Sequence, residues 1–164
     1  MLKAKMISKM IAAHPGSRHD TAHFLKVYGY ASAIGKLEGL GETTQETLEL
    51  AAILHDISCP YCRNKYGHCS GKVQEMESEH LLRAFLEEFK LDQGMQERII
   101  HLISHHHTYD GIDGLDWQIL LEADYLVNAD EGNASAEAIQ NFKEKVFRTK
   151  SGTQMLNDLF LCQS

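Results

Sequence analysis

Six positions in the chain carry side chains suited to binding a transition metal: His23, His55, Asp56, His80, His106 and Asp124. Imidazole nitrogen and carboxylate oxygen together suit Fe, Mn, Ni, Co or Zn better than Mg or Ca. Such an ion lowers the pKa of bound water from about 15.7 to about 7, so the chemistry on offer is hydrolysis at neutral pH. The spacing matters as much as the types. His23 repeats with Val27, Tyr30 and Ile34; His55 with Leu48 and Ala52, Asp56 beside it; His80 with Ala84. His106 falls on the stripe of Met95, Ile99 and Leu102, and Asp124 on that of Trp117, Leu120, Leu121 and Val127. These are helical periods, so five helices each aim a His or Asp inward. Buried charge is costly unless paired or metal-bound, and a shared cation accounts for all of them at once. His14, His19, His68, His101 and His107 read instead as hydrogen-bonded structural histidines.

The elements that must position these groups are helical throughout. A first helix ends at Pro15 and Gly16. Ser17 or Asp20 caps a second that runs to about Leu37, and Thr43 or Thr44 opens a third, TTQETLELAAILHD. Ser58 to about Lys72 reads as an irregular loop. A fourth helix spans roughly Glu75 to Lys90, a fifth follows Asp92 to about His107, and a sixth runs from Asp116 to about Asp130. Ser135 opens a seventh, and a short terminal helix carries Met155, Leu156, Leu159 and Phe160. No segment alternates as a strand does. The expectation is an all-α, single-domain bundle of about seven to eight helices over residues 1–164. Its motif-bearing core covers about 17–128, and the helices of 135–161 pack on that core.

Composition narrows the function. The 164 residues are 43% hydrophobic and 24% charged, an ordinary globular balance. A net charge of −7 argues against a nucleic-acid polymer as partner. No apolar run approaches a membrane span, and the N-terminal MLKAKMISKMIAAHPG reads as a docking helix rather than a signal peptide. A cytoplasmic location with reduced cysteines is expected. The run CPYCRNKYGHC, with Cys59, Cys62, His68 and Cys69, has zinc-like content. Its HC second half lacks the usual ligand separation, so it reads as a loop with reduced thiols rather than a zinc or redox site.

The ordered series H…HD…H…HH…D resembles the HD-domain superfamily of metal-dependent phosphohydrolases. The matching segments are HDTAHFLKVYGYA, LAAILHDI, ESEHLLRAFL, LISHHHTYDG and LLEADYLV. The resemblance implies an HD-type helical fold in which His23, His55, Asp56 and Asp124 bind a first metal ion. Dinuclear members add two histidines, matching His80 and either His105 or His106, and the apolar stripe favours His106. With two ions, Asp56 is placed to bridge them. A basic residue three positions after the first His corresponds to Lys26. The absence of a GYP signature separates the chain from the cyclic-di-GMP phosphodiesterase branch. Its length and His pattern resemble small bacterial hydrolases of dinucleoside polyphosphates, although the loop after the HD pair differs.

The expected activity is therefore attack of metal-activated water on a phosphate ester or anhydride of a nucleotide or other small phosphorylated metabolite. Asp56, His80 and His105 are the candidate catalytic groups, with His80 or His105 donating a proton to the leaving group. Arg63, Lys65 and Lys72 are candidates for holding substrate phosphate. A di-iron oxygenase on the same fold and a non-enzymatic, metal-stabilised sensor domain are the alternatives, and a homo-oligomer is compatible with either.

Overall fold

Residues 1–162 are described by a computed structural model. It contains nine α-helices among those residues: α1 (Leu2–Ala13), α2 (Arg18–Leu37), α3 (Glu42–Leu54), α4 (Cys59–Tyr66), α5 (Gly71–Leu86), α6 (Gln93–Ser104), α7 (Leu115–Glu131), α8 (Ala136–Val146) and α9 (Lys150–Leu156). A π-helical turn, Asn157–Leu161, follows. No strand interrupts the described residues. None of the helices is long and apolar enough to cross a membrane.

Local chemistry sets several of the boundaries. Ser17 caps α2 by accepting from Asp20 N at 3.3 Å. Asp92 caps α6 by accepting from Gly94 N at 2.9 Å and Met95 N at 3.2 Å. Ser135 does the same for α8. The third helix starts earlier than its threonines suggest, at Glu42 after an extended Gly41.

The segment expected to be an irregular loop contains α4, the helix that the sequence reading missed. Pro60 in its first turn has a backbone preset for helix, and Gly67 ends it in the left-handed region at φ +76°. The next helix accordingly opens at Gly71 rather than near Glu75.

The centre of the bundle is α7. From Asp116 to Ala129 it is buried on almost every side, including Trp117, Ile119, Leu120, Leu121, Leu126 and Val127. Each fully buried Leu or Ile contributes about 1.5–3 kcal/mol of transfer free energy. Helices α2 and α3 pack on α7 and on each other, and α6 closes on α3. The N-terminal α1 docks on α3 through Met6 and Met10, both fully buried. A polar clamp reinforces that contact: Lys3 Nζ lies 2.6 Å from the buried Glu49 carboxylate, which also accepts from Ser32 Oγ and Gln45 Nε2. Burial pushes the Glu49 carboxyl up, but Lys3, Ser32 and Gln45 outweigh it and hold it below the ordinary range.

Candidate metal centre

Four elements deliver the site. His23 projects from the second turn of α2, His55 caps the C-terminal end of α3, and Asp56 follows in the turn. Asp124 sits in the middle of α7, and His106 lies just past α6. The turn carrying His106 is pinned to α5, because Glu75 accepts from His107 N and Thr108 Oγ1, both at 3.0 Å. The carbonyl of Asp56 lies 3.3 Å from Nε2 of the buried His14, which fastens the His55–Asp56 turn to the chain that follows α1.

The donor atoms converge. Nε2 of His23 is 3.2 Å from His55 Nε2, 3.2 Å from Asp124 Oδ1 and 3.4 Å from Asp56 Oδ2. His55 Nε2 is 3.5 Å from Asp56 Oδ2 and 3.6 Å from Asp124 Oδ1. His106 Nε2 lies 3.9 Å from the other Asp56 oxygen.

Whether this set fits a cation is answered by the far side of each ring. His55 Nδ1 faces Ala52 O at 2.8 Å and His106 Nδ1 faces Ile103 O at 2.6 Å. A carbonyl only accepts, so both Nδ1 atoms carry the proton, and Nε2 of a neutral ring is left with a lone pair toward the centre. His23 Nδ1 donates likewise to Glu131 Oε2 at 2.9 Å. His106 Nε2 is fully buried and has no hydrogen-bond partner, a costly arrangement for a polar atom unless a cation receives it. His23, His55 and Asp56 alone already place three donors within 4.8 Å of one another. The residues present therefore fit a divalent transition metal held by His23, His55, Asp56 and Asp124, with His106 beside them.

The carboxylates make this centre negative enough to favour protonation of His23 and His55, a potential that a bound cation would answer instead. Burial would lower the His23 pKa, but Asp124, Asp56 and Glu131 overcome it and raise the value to about 9. Burial also opposes ionisation of Asp124 and Asp56, yet the surrounding histidines hold both carboxyls below their usual range. His106 goes the other way. Burial, then His107 and His55, push it down to about 3, which keeps the ring neutral and its lone pair free.

Other expected site residues lie elsewhere. His80 is on the exposed side of α5, where it meets the Tyr61 ring and Glu77. The buried side of α5 carries Ser78, Leu82, Phe85 and Leu86, and a two-residue offset turns His80 roughly 200° away from Ser78 and Leu82. Helix α5 thus does not bring His80 to the cluster. His105 donates from Nδ1 to His101 O at 2.7 Å and packs against Trp117 and His101, so His106 is the member of the pair that meets Asp56. Arg63 is ion-paired with Asp20, Lys65 with Glu77 at 2.7 Å, and Lys72 is exposed in the first turn of α5. Lys26 reaches Glu131 at 3.0 Å.

Glu131 escaped the sequence reading, whereas His14 is a hydrogen-bonded structural histidine as expected. Glu131 follows Asp124 by seven residues, two helical turns, so periodicity along α7 could have found it. Outer carboxylates that orient a ligating imidazole are worth about 10–100-fold in metal affinity. Glu131→Ala is expected to weaken metal binding by about that factor with the fold intact. Competition against a chromophoric chelator measures it, and parental affinity would reduce Glu131 to a partner of Lys26.

Among curated proteins and solved structures, no significant match to the chain is found. Residues 21–139, well over half of the chain, match the HD domain. That span holds His23, His55, Asp56, His106, Asp124 and Glu131, and the chain belongs to the HD-domain family, the superfamily of metal-dependent phosphohydrolases.

Proposed function

We propose that the protein is a phosphohydrolase that cleaves a phosphate ester or anhydride of a small phosphorylated metabolite, a nucleotide being the favoured class. The observation that carries this reading is the inward set of Nε2 atoms with every Nδ1 engaged by an outer acceptor. A divalent ion held there supplies an activated water and a Lewis acid for the phosphoryl oxygen. The chain's own residues do the rest. His55 and His106 are locked by backbone carbonyls, so their ring orientation is settled before substrate arrives. Asp56, the most open of the inner carboxylates at 17% side-chain exposure, is the ligand nearest the side from which water and substrate would enter. Arg63 stands nearby, paired with Asp20 one turn before His23 on α2, and exchange of that partner for a substrate phosphate would position the ester. Phosphoryl transfer asks mainly for positioning and charge stabilisation, which this set can provide.

One ion per chain is the stoichiometry we propose, since His80 lies outside the cluster. The di-iron oxygenase alternative needs a second ion and loses its support with His80. His106→Ala should lower metal affinity, and His80→Ala should leave metal content at the parental value. Elemental analysis of the parent and both variants decides this, and two ions per parental chain would overturn the single-ion proposal.

Activity is tested by loading metal-free protein with Mn, Fe, Ni, Co or Zn in turn and following phosphate release from a panel of phosphorylated metabolites. Release that depends on metal and is lost in Asp56→Asn supports the reading. Metal-dependent oxygen consumption without phosphate release would replace it.

A further inference from the structure

Three of the four cysteines gather at one end of α4, beside the metal centre but not part of it. Cys59 is the first residue of the helix and is buried. Its N–H donates to Asp56 O at 3.0 Å, which anchors this end of α4. Cys62, one turn on, is buried with its Sγ directed at Val73 O, 3.6 Å away. The left-handed Gly67 then reverses the chain and brings Cys69 back to the start of the helix. Across ten positions of sequence, the Sγ atoms of Cys59 and Cys69 come to 2.6 Å. A disulfide bond is about 2.04 Å long, so closure asks for only a small movement of the two sulfurs.

We propose that Cys59 and Cys69 are an oxidation site, a dithiol that hydrogen peroxide converts to a reversible intramolecular disulfide. The inference does not rest on the phosphohydrolase reading. The two thiols have distinct parts. Cys69 is half-buried and within reach of a small oxidant, whereas Cys59 is buried. Hydrogen bonding from Cys59, helped by Arg63, outweighs burial and the Asp56 charge and holds the Cys69 thiol below its ordinary range.

In the first step the Cys69 thiolate attacks one peroxide oxygen. The O–O bond breaks, hydroxide leaves, and Cys69 becomes a sulfenic acid. In the second the Cys59 sulfur attacks the Cys69 sulfur. The S–O bond breaks, and the departing hydroxide takes the Cys59 proton as water. Two thiols give up two electrons, and with the proton balance of solvent the peroxide ends as two waters. A dithiol reductant reverses the product by exchange at the S–S bond. Cys62 also lies within hydrogen-bonding reach of Cys69, but its thiol is engaged by Val73 O at 3.6 Å, and Cys59 is the sulfur that approaches Cys69 to 2.6 Å.

The test uses the full reduced chain, treated with a modest excess of hydrogen peroxide. Intact mass should fall by two hydrogens, titratable thiols should fall by two, and a non-reducing peptide map should join Cys59 to Cys69. Dithiothreitol should restore all three readouts. Cys69→Ser should abolish the mass loss, whereas Cys62→Ser and Cys162→Ser should leave it unchanged. The parental map decides the question even if a variant folds poorly. A Cys59–Cys62 or Cys62–Cys69 link, a link only between chains, two oxygens added to Cys69 without any link, or four persisting thiols would each overturn the proposal. So would a zinc ion that copurifies with the parent, is retained by Asp56→Asn, and protects the three clustered thiols.

Discussion

Asp56→Asn is expected to remove metal retention and phosphate release together while leaving the fold nearly as stable as the parent. The amide is close to the carboxylate in shape, so packing around the 55–56 turn should survive. What it loses is a negative charge next to His23, His55 and His106, and an anionic oxygen in the donor set. Partners one step outside a metal's inner ligands are commonly worth about 10–100-fold in affinity, so the loss of a carboxylate inside the cluster should exceed that range. Metal per chain after dialysis and phosphate release at saturating metal are the two measurements. If the variant kept both parental metal content and turnover, the assignment of the centre would be wrong. His55→Ala should share the outcome and in addition lose stability, because the ring is fully buried.

The second large effect concerns stability alone. Glu122 is fully buried in α7 and accepts from Gln118 Nε2 at 2.7 Å, Arg148 N at 2.7 Å, Thr149 N at 2.9 Å and Thr149 Oγ1. One carboxylate thereby satisfies the backbone between α8 and α9. Glu122→Ala should cost about 3–5 kcal/mol, because each buried donor left without its acceptor costs about 1–3 kcal/mol. Gln118 Nε2 retains Val146 O, but the donors of Arg148 and Thr149 lose their acceptor. For a chain of this length that is on the order of 10 °C in melting temperature. Gly152→Ala should act through the same contact, since a Cβ there would fall 2.1 Å from Glu122 Oε2 and 2.6 Å from Thr149 Oγ1. Thermal and urea denaturation of metal-free protein isolate these effects from ligand loss. A change below about 1 kcal/mol in Glu122→Ala would show that water replaces the carboxylate readily.

How much of this was legible in the sequence follows from the kind of signal each element carries. Helices with a long apolar stripe were readable, and His23, His106 and Asp124 were readable with them, because a polar residue on such a stripe must be buried. His80 failed the same test for a specific reason. Its stripe partner was Ala84, which is exposed, and alanine is as good a helix former at the surface as inside. Helix α4 has eight residues with little apolar contrast, so its only signals were Pro60 and Gly67 at its ends. The basic residues of that region were visible as charges. Nothing in their spacing said that Arg63 would meet Asp20 or that Lys65 would meet Glu77, pairings that exist only once α4 is docked. The thiol pair was hidden likewise, since Cys59 and Cys69 meet only because the chain reverses at Gly67.

Where the functional unit ends is decided by two fastenings, one on α7 and one on the turn after α3. The span matching the HD domain begins at residue 21 and stops at residue 139. Yet the helix that carries Asp124 has Glu122 two positions earlier, tied to Arg148 and Thr149, and Phe147 and Leu156 belong to the same buried cluster. On the other side, Met6, Met10 and His14 lie before the matched span, and His14 abuts the Asp56 carbonyl. A fragment trimmed to residues 21–139 would keep every metal donor and lose the supports that hold two of them. Anyone excising or grafting this centre should cut outside α1 and beyond α9, because here the minimal motif is smaller than the minimal machine.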